Sequence, residues 1–107
     1  MMISKELLSE VLKFDISHMT TKIDGHVYYR IKNRYSGDIS MYELAHKCKK
    51  WANKQGYTLT VVYAPDITMV YPMEIITGER LPFVKADTEP EAIFKACEWI
   101  LKEKSND

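Results

Sequence analysis

The chain has 107 residues, the size of one ordinary domain. Apolar residues make up 46% and charged residues 28%, which excludes a largely disordered chain. Fifteen Lys and Arg against fifteen Asp and Glu leave no net charge, so the positive excess of a general nucleic-acid binder is missing. The halves differ, however. Residues 1–54 carry ten basic against six acidic side chains, and residues 55–107 carry five against nine. That asymmetry allows a basic and an acidic patch on one domain, or attraction between copies. The first residues lack a basic segment followed by an apolar run, and no apolar stretch approaches the ~20 residues of a membrane-spanning helix. The expected location is the cytoplasm.

The first predicted element is a helix over 4–13, capped by Ser4, with Leu7, Leu8, Val11 and Leu12 at helical spacing. Asp24-Gly25 signals a turn, and residues 26–32 alternate as a strand. Val27, Tyr29 and Ile31 point one way, and His26, Tyr28, Arg30 and Lys32 the other. Residues 33–38 read as a connection. Ser40 with Glu43 forms a capping box for a second helix, which runs to about Gln55 and is closed by Gly56. Met41, Leu44, Ala45, Cys48 and Ala52 form its apolar stripe. His46, Lys47, Lys49, Lys50 and Lys54 lie on the opposite face.

Residues 57–64, rich in β-branched and aromatic side chains, read as a strand ended by Pro65-Asp66. Residues 67–76 read as another, which Pro72 makes an edge strand or splits in two. Thr77-Gly78-Glu79 predicts a hairpin turn and 80–86 a return strand. A last helix starts at Thr88 with Glu91 as its capping partner, buries Ile93, Ala96, Cys97, Ile100 and Leu101, and ends in a frayed tail at about 104–107. The pattern predicts one α+β domain over 1–107: a small, mainly antiparallel sheet layered with helices.

Two segments carry a family resemblance. They are Arg34-Tyr35-Ser36-Gly37-Asp38-Ile39 before the helix that ends at Trp51 and Gly56-Tyr57, and Ala86 to Ala96, with its Thr88-Glu89-Pro90-Glu91-Ala92-Ile93 start. Over about 34–101 the chain resembles the small phage and prophage proteins of the phage ABA sandwich domain. The 26–32 strand lies outside that resemblance, and the 65–80 region lacks the glycine-rich aromatic hairpin of the group. The resemblance implies an α-β-α layered fold and a phage or prophage origin, and no catalytic residues.

No motif points to chemistry. Cys48 and Cys97 have no CxxC spacing and read as buried thiols in a reducing compartment. His18, His26 and His46 lack ligand spacing, so no metal is expected. There is no nucleophile elbow, phosphate-cradling loop or dinucleotide fingerprint, so neither an enzyme nor a cofactor is expected. Two features point to binding instead. The first is positive charge interleaved with tyrosine, which makes Tyr28, Arg30, Lys32, Arg34 and Tyr35 the candidate surface. The second is an aromatic surplus: Tyr28, Tyr35, Tyr42, Tyr71 and Trp99 need not all be buried, and Phe94 and Trp99 fall off the main stripe of the last helix. The expected function is that of a non-enzymatic phage accessory protein binding a host macromolecule, most readily an acidic host protein, with antagonism of host defence as one such role. Sequestration of a phosphorylated nucleotide and nucleic-acid binding through the basic strand are the alternatives, with homo-oligomerisation compatible with each.

Overall fold

The computed structural model describes residues 3–21, 24–32 and 36–105. The elements run α1 (Lys5–Leu12), β1 (Ile16–Thr21), β2 (His26–Ile31), β3 (Ser36–Ser40), α2 (Met41–Lys54), β4 (Tyr57–Ala64), β5 (Ile67–Glu74), β6 (Val84–Ala86) and α3 (Glu89–Ser105). The fold is α+β, as the patterning requires. Its strands form two three-stranded antiparallel sheets, β1-β2-β3 and β4-β5-β6, rather than one.

The helix starts follow the capping signals. Ser4 Oγ accepts from Leu7 N, Ser40 Oγ from Glu43 N and Thr88 Oγ1 from Glu91 N, each satisfying a donor that a first helical turn leaves open. Gly56 takes the left-handed conformation (φ +95°) expected past the end of α2. The predicted frayed tail begins too early, since α3 holds Lys104 and Ser105.

Four points of the strand reading need correction. Residues 16–21 form β1, although His-Met-Thr-Thr carries no clean alternation; pairing with β2 imposes the strand, with a bulge between Ile16 and His18. The expected connection instead holds β3, which pairs with β2 from Ser36 to Ser40 and leads straight into α2. Gly37 matters there, because a Cβ would lie 2.7 Å from the Tyr29 hydroxyl. In the second sheet, β5 is one continuous central strand despite Pro72. The Pro72 carbonyl accepts from Leu81 N (3.0 Å), so the residue's hydrogen-bonding side faces away from β4. The missing N–H therefore falls beyond the stretch that β6 pairs, which is only Thr68–Val70, and no ladder bond to β4 is lost. The return strand is likewise shorter than expected. The 74–79 turn closes with Glu74 N donating to Glu79 O, a bridge follows at Arg80, and strand geometry resumes only at Val84.

One contiguous core joins both sheets and all three helices. It contains Leu7 and Leu8 of α1, Ile16, Val27, Ile31 and Ile39 of the first sheet, and Leu44, Cys48 and Trp51 of α2. Val70 of β5 and Ile93, Phe94, Cys97 and Ile100 of α3 complete it. Phe94, off the main stripe by sequence, is fully buried. Cys48 and Cys97 are both buried free thiols. The Cys97 thiol beside it, and then burial, push the Cys48 thiol up, which keeps it protonated and unreactive. Helices α2 and α3 pack together and lie on one face of the second sheet. The molecule is flat, with extents of 41 × 36 × 18 Å.

Candidate interaction surface

Register fixes which side chains share each face of the second sheet. Leu59 stands opposite Pro72, Val61 opposite Val70 and Val84 opposite Val70, and this face meets the helices. The other face carries Thr58, Thr60 and Val62 of β4 and Ile67, Met69, Tyr71 and Met73 of β5, with Lys85 opposite Met69. None of the apolar members of this second face packs against the core. Val62 is 38% exposed, and Phe83, just before β6, is 51% exposed. The face is nonetheless ordered. The Tyr71 ring stacks on Phe83 with centroids 5.4 Å apart, and its hydroxyl donates to Met69 Sδ at 3.6 Å.

The sequence carried a signal for this face that alternation alone overlooks. From Ile67 to Met73, β5 is apolar on both sides except for Thr68. Strands of that composition belong to sheets covered on both faces, yet the helices cover only one. The eight-residue β4 and β5 span roughly 26 by 10 Å and the three-residue β6 adds a short strip, about 300 Å² of flat footprint in all. Among the described residues the strand pairs place two cations on this face, Lys85 opposite Met69 and the exposed Arg80 opposite Met73, and no carboxylate. Its main resource is apolar, polarisable contact area flanked by those two cations.

The sequence-predicted site residues lie elsewhere, on the first sheet. Tyr28 and Arg30 share the face of β2 opposite the core, and Lys32 follows the strand, exposed. Arg34 and Tyr35 lie outside the described residues. The Tyr28 hydroxyl donates to Asp24 Oδ2 at 2.7 Å, and this bond, more than the nearby charges of Asp24 and Asp38, raises the phenol above its usual value of 10.0. His26 Nδ1 lies 3.9 Å from Asp38 Oδ2. One end of the face is thus acidic, and the other carries Arg30 beside His18, its cross-strand neighbour. A shallow depression of about 340 Å³ in this sheet is lined by His18, Thr20, Tyr28, Arg30 and Ser36, with Met19, Tyr29 and Gly37.

A concavity of about 750 Å³ between α1 and α3 is a seam rather than a site. Two of its three lining acids are engaged within the fold: Glu98 accepts from Ser4 N and Ser4 Oγ, and Glu10 pairs with Lys104 at 3.5 Å. Among the described residues, no three His, Cys, Asp or Glu side chains gather as metal ligands, and no helix is long and apolar enough to cross a membrane. The chain matches no protein-family model, no characterised protein and no solved structure. Of the aromatic side chains expected at the surface, Tyr42 is 69% exposed on α2, Tyr71 stands on the uncovered sheet face and Trp99 is half-buried.

Proposed function

We propose that this chain is a binding protein that docks a partner protein, in the phage-accessory setting its sequence resembles a protein of the host, on the uncovered face of β4-β5-β6. The observation that carries this reading is the side-by-side placement of Val62, Met69, Tyr71, Met73 and Phe83 outside the core, with Lys85 and Arg80 at its margin. Contiguous apolar area of this kind marks interaction sites, and methionine beside aromatic rings adapts to a partner's contour. Apolar area outweighs the two cations, so a protein fits this chemistry better than a polyanion, which requires a cation for each phosphate held.

The test is capture from a host lysate treated with nuclease, comparing the wild type with Met69→Glu. Met69 is on the uncovered face, so the charge leaves the core intact. A host protein retained by the wild type and lost by Met69→Glu, with an unchanged circular dichroism spectrum, is the expected outcome. Equal retention by both removes this face from the reading.

One observation favours a second reading, a phosphate-bearing small ligand. Arg30 has no ion pair among the described residues and borders the depression of the first sheet beside His18. A thermal shift with nucleoside phosphates that Arg30→Glu abolishes would establish it, whereas no shift with any nucleotide removes it.

A further inference from the structure

The second sheet has an open side as well as an open face. Among the described residues β4 is an edge strand, paired only with β5. The direction of the Pro72 carbonyl makes Leu59–Pro72 a non-hydrogen-bonded pair, and alternation gives Val61–Val70 and Tyr63–Thr68 the same character. The backbone N–H and C=O groups of Leu59, Val61 and Tyr63 therefore point away from β5, off the edge of the sheet. This edge is eight residues long and carries no charge and no proline from Tyr57 to Ala64. Edge strands of soluble proteins are ordinarily blunted by lysine, proline, bulges or short length, and β4 uses none of these devices.

We infer that the occupant of this edge is the β4 strand of a second copy of the chain, paired antiparallel about a two-fold axis at Thr60. The strand is self-complementary in that register. Thr60 meets Thr60 of the partner, Leu59 meets Val61, Thr58 meets Val62 and Tyr57 meets Tyr63. Threonine pairs, aliphatic pairs and aromatic pairs are the favourable cross-strand combinations, and no like charges face each other. The Leu59–Val61 pairs use the outward backbone groups, and the symmetry repeats them on both sides of the axis. Two three-stranded sheets become one of six strands. The uncovered faces then join into a single surface of about 600 Å², nearer the ~800 Å² that each partner contributes to a standard protein interface than one face alone. The pairing goes beyond the docking reading and does not depend on it, because it uses the edge of the sheet rather than its face.

The experiment is light scattering and sedimentation of the full chain at micromolar concentrations, with three variants. The wild type is expected at twice the chain mass. Thr60→Lys sets two ammonium groups against each other at the axis and is expected to weaken the dimer about tenfold or more. Its thermal midpoint should change little, because Thr60 is exposed. Thr60→Cys is expected to form an intermolecular disulfide under mild oxidation, since a non-hydrogen-bonded antiparallel pair brings the two Cα atoms within about 4.5 Å. Val62→Cys, displaced four residues from its own copy, is expected to remain uncrosslinked. The native thiols do not interfere, because Cys48 and Cys97 are fully buried. A wild type that is monomeric at every concentration overturns the proposal and leaves the edge to a partner's extended segment. Crosslinking of Val62→Cys in place of Thr60→Cys overturns it as well. Docking to the uncovered face is read separately, by the Met69→Glu capture assay.

Discussion

The two sheets are alike in strand number and antiparallel pairing, and they differ in what they offer to solvent. The face of β1-β2-β3 turned from the core is polar and mixed in charge: Tyr28 is tied to Asp24, and His26 stands near Asp38. The corresponding face of β4-β5-β6 is largely apolar, carries Lys85 and Arg80 and has no covering layer among the described residues. A face closed by internal hydrogen bonds satisfies its own polar groups, whereas an apolar face is satisfied only by another surface. Charge drew attention to the first sheet in the sequence, but the missing cover singles out the second.

The largest expected effect tests whether the two sheets share one fate. Phe94 is fully buried in the core that joins them. Phe94→Ala is expected to cost about 3–5 kcal/mol in equilibrium denaturation. Amide exchange should accelerate in β2 and β5 together. Loss of protection in β5 alone would show that the sheets unfold as separate units and would break the comparison at its base.

Next in size is Ser4→Ala, at about 1–2 kcal/mol, because one hydroxyl both caps α1 and donates to Glu98 on α3. Ser4→Thr should recover most of the loss in the same denaturation assay. A smaller effect, about 1 kcal/mol, is expected for Gly37→Ala, whose methyl group must displace the Tyr29 ring. The close approach is to the side chain of Tyr29 rather than to backbone, so the loss should be confined to β2 and β3 and be relieved by pairing the change with Tyr29→Ala. Hydrogen exchange read strand by strand separates this outcome from a global loss.

The smallest effect is electrostatic. The hydrogen bond to Asp24 raises the Tyr28 phenol, and the bond to Glu89 raises that of Tyr63. A raised folded-state value means the folded chain holds the phenolic proton longer than the unfolded chain. The resulting stabilisation is complete below the ordinary value of 10.0 and is lost as pH rises through the folded value. Ultraviolet titration of phenolate should show Asp24→Asn lowering the Tyr28 midpoint and leaving that of Tyr63 in place. If Asp24→Asn moved neither, the first-sheet face would not be closed by the bond assigned to it.

What was legible in the sequence was local. Ser4, Ser40 and Thr88 mark the three helix starts, because a cap is a contact between residues three apart. Gly56 ends α2 for a similarly local reason, and β4 follows from its own β-branched run. The α+β class follows from the mixture of these periods. Tertiary structure alone decided the rest. β1 and β3 are strands because β2 lies between them and offers both its edges. Pro72 sits in a central strand because β6 has already parted at that position. Phe94 is buried because α2 and the second sheet converge on it. Above all, which strand edge and which sheet face remain open depends on where the helices come to rest. That is a long-range packing outcome, and no window of neighbouring residues contains it.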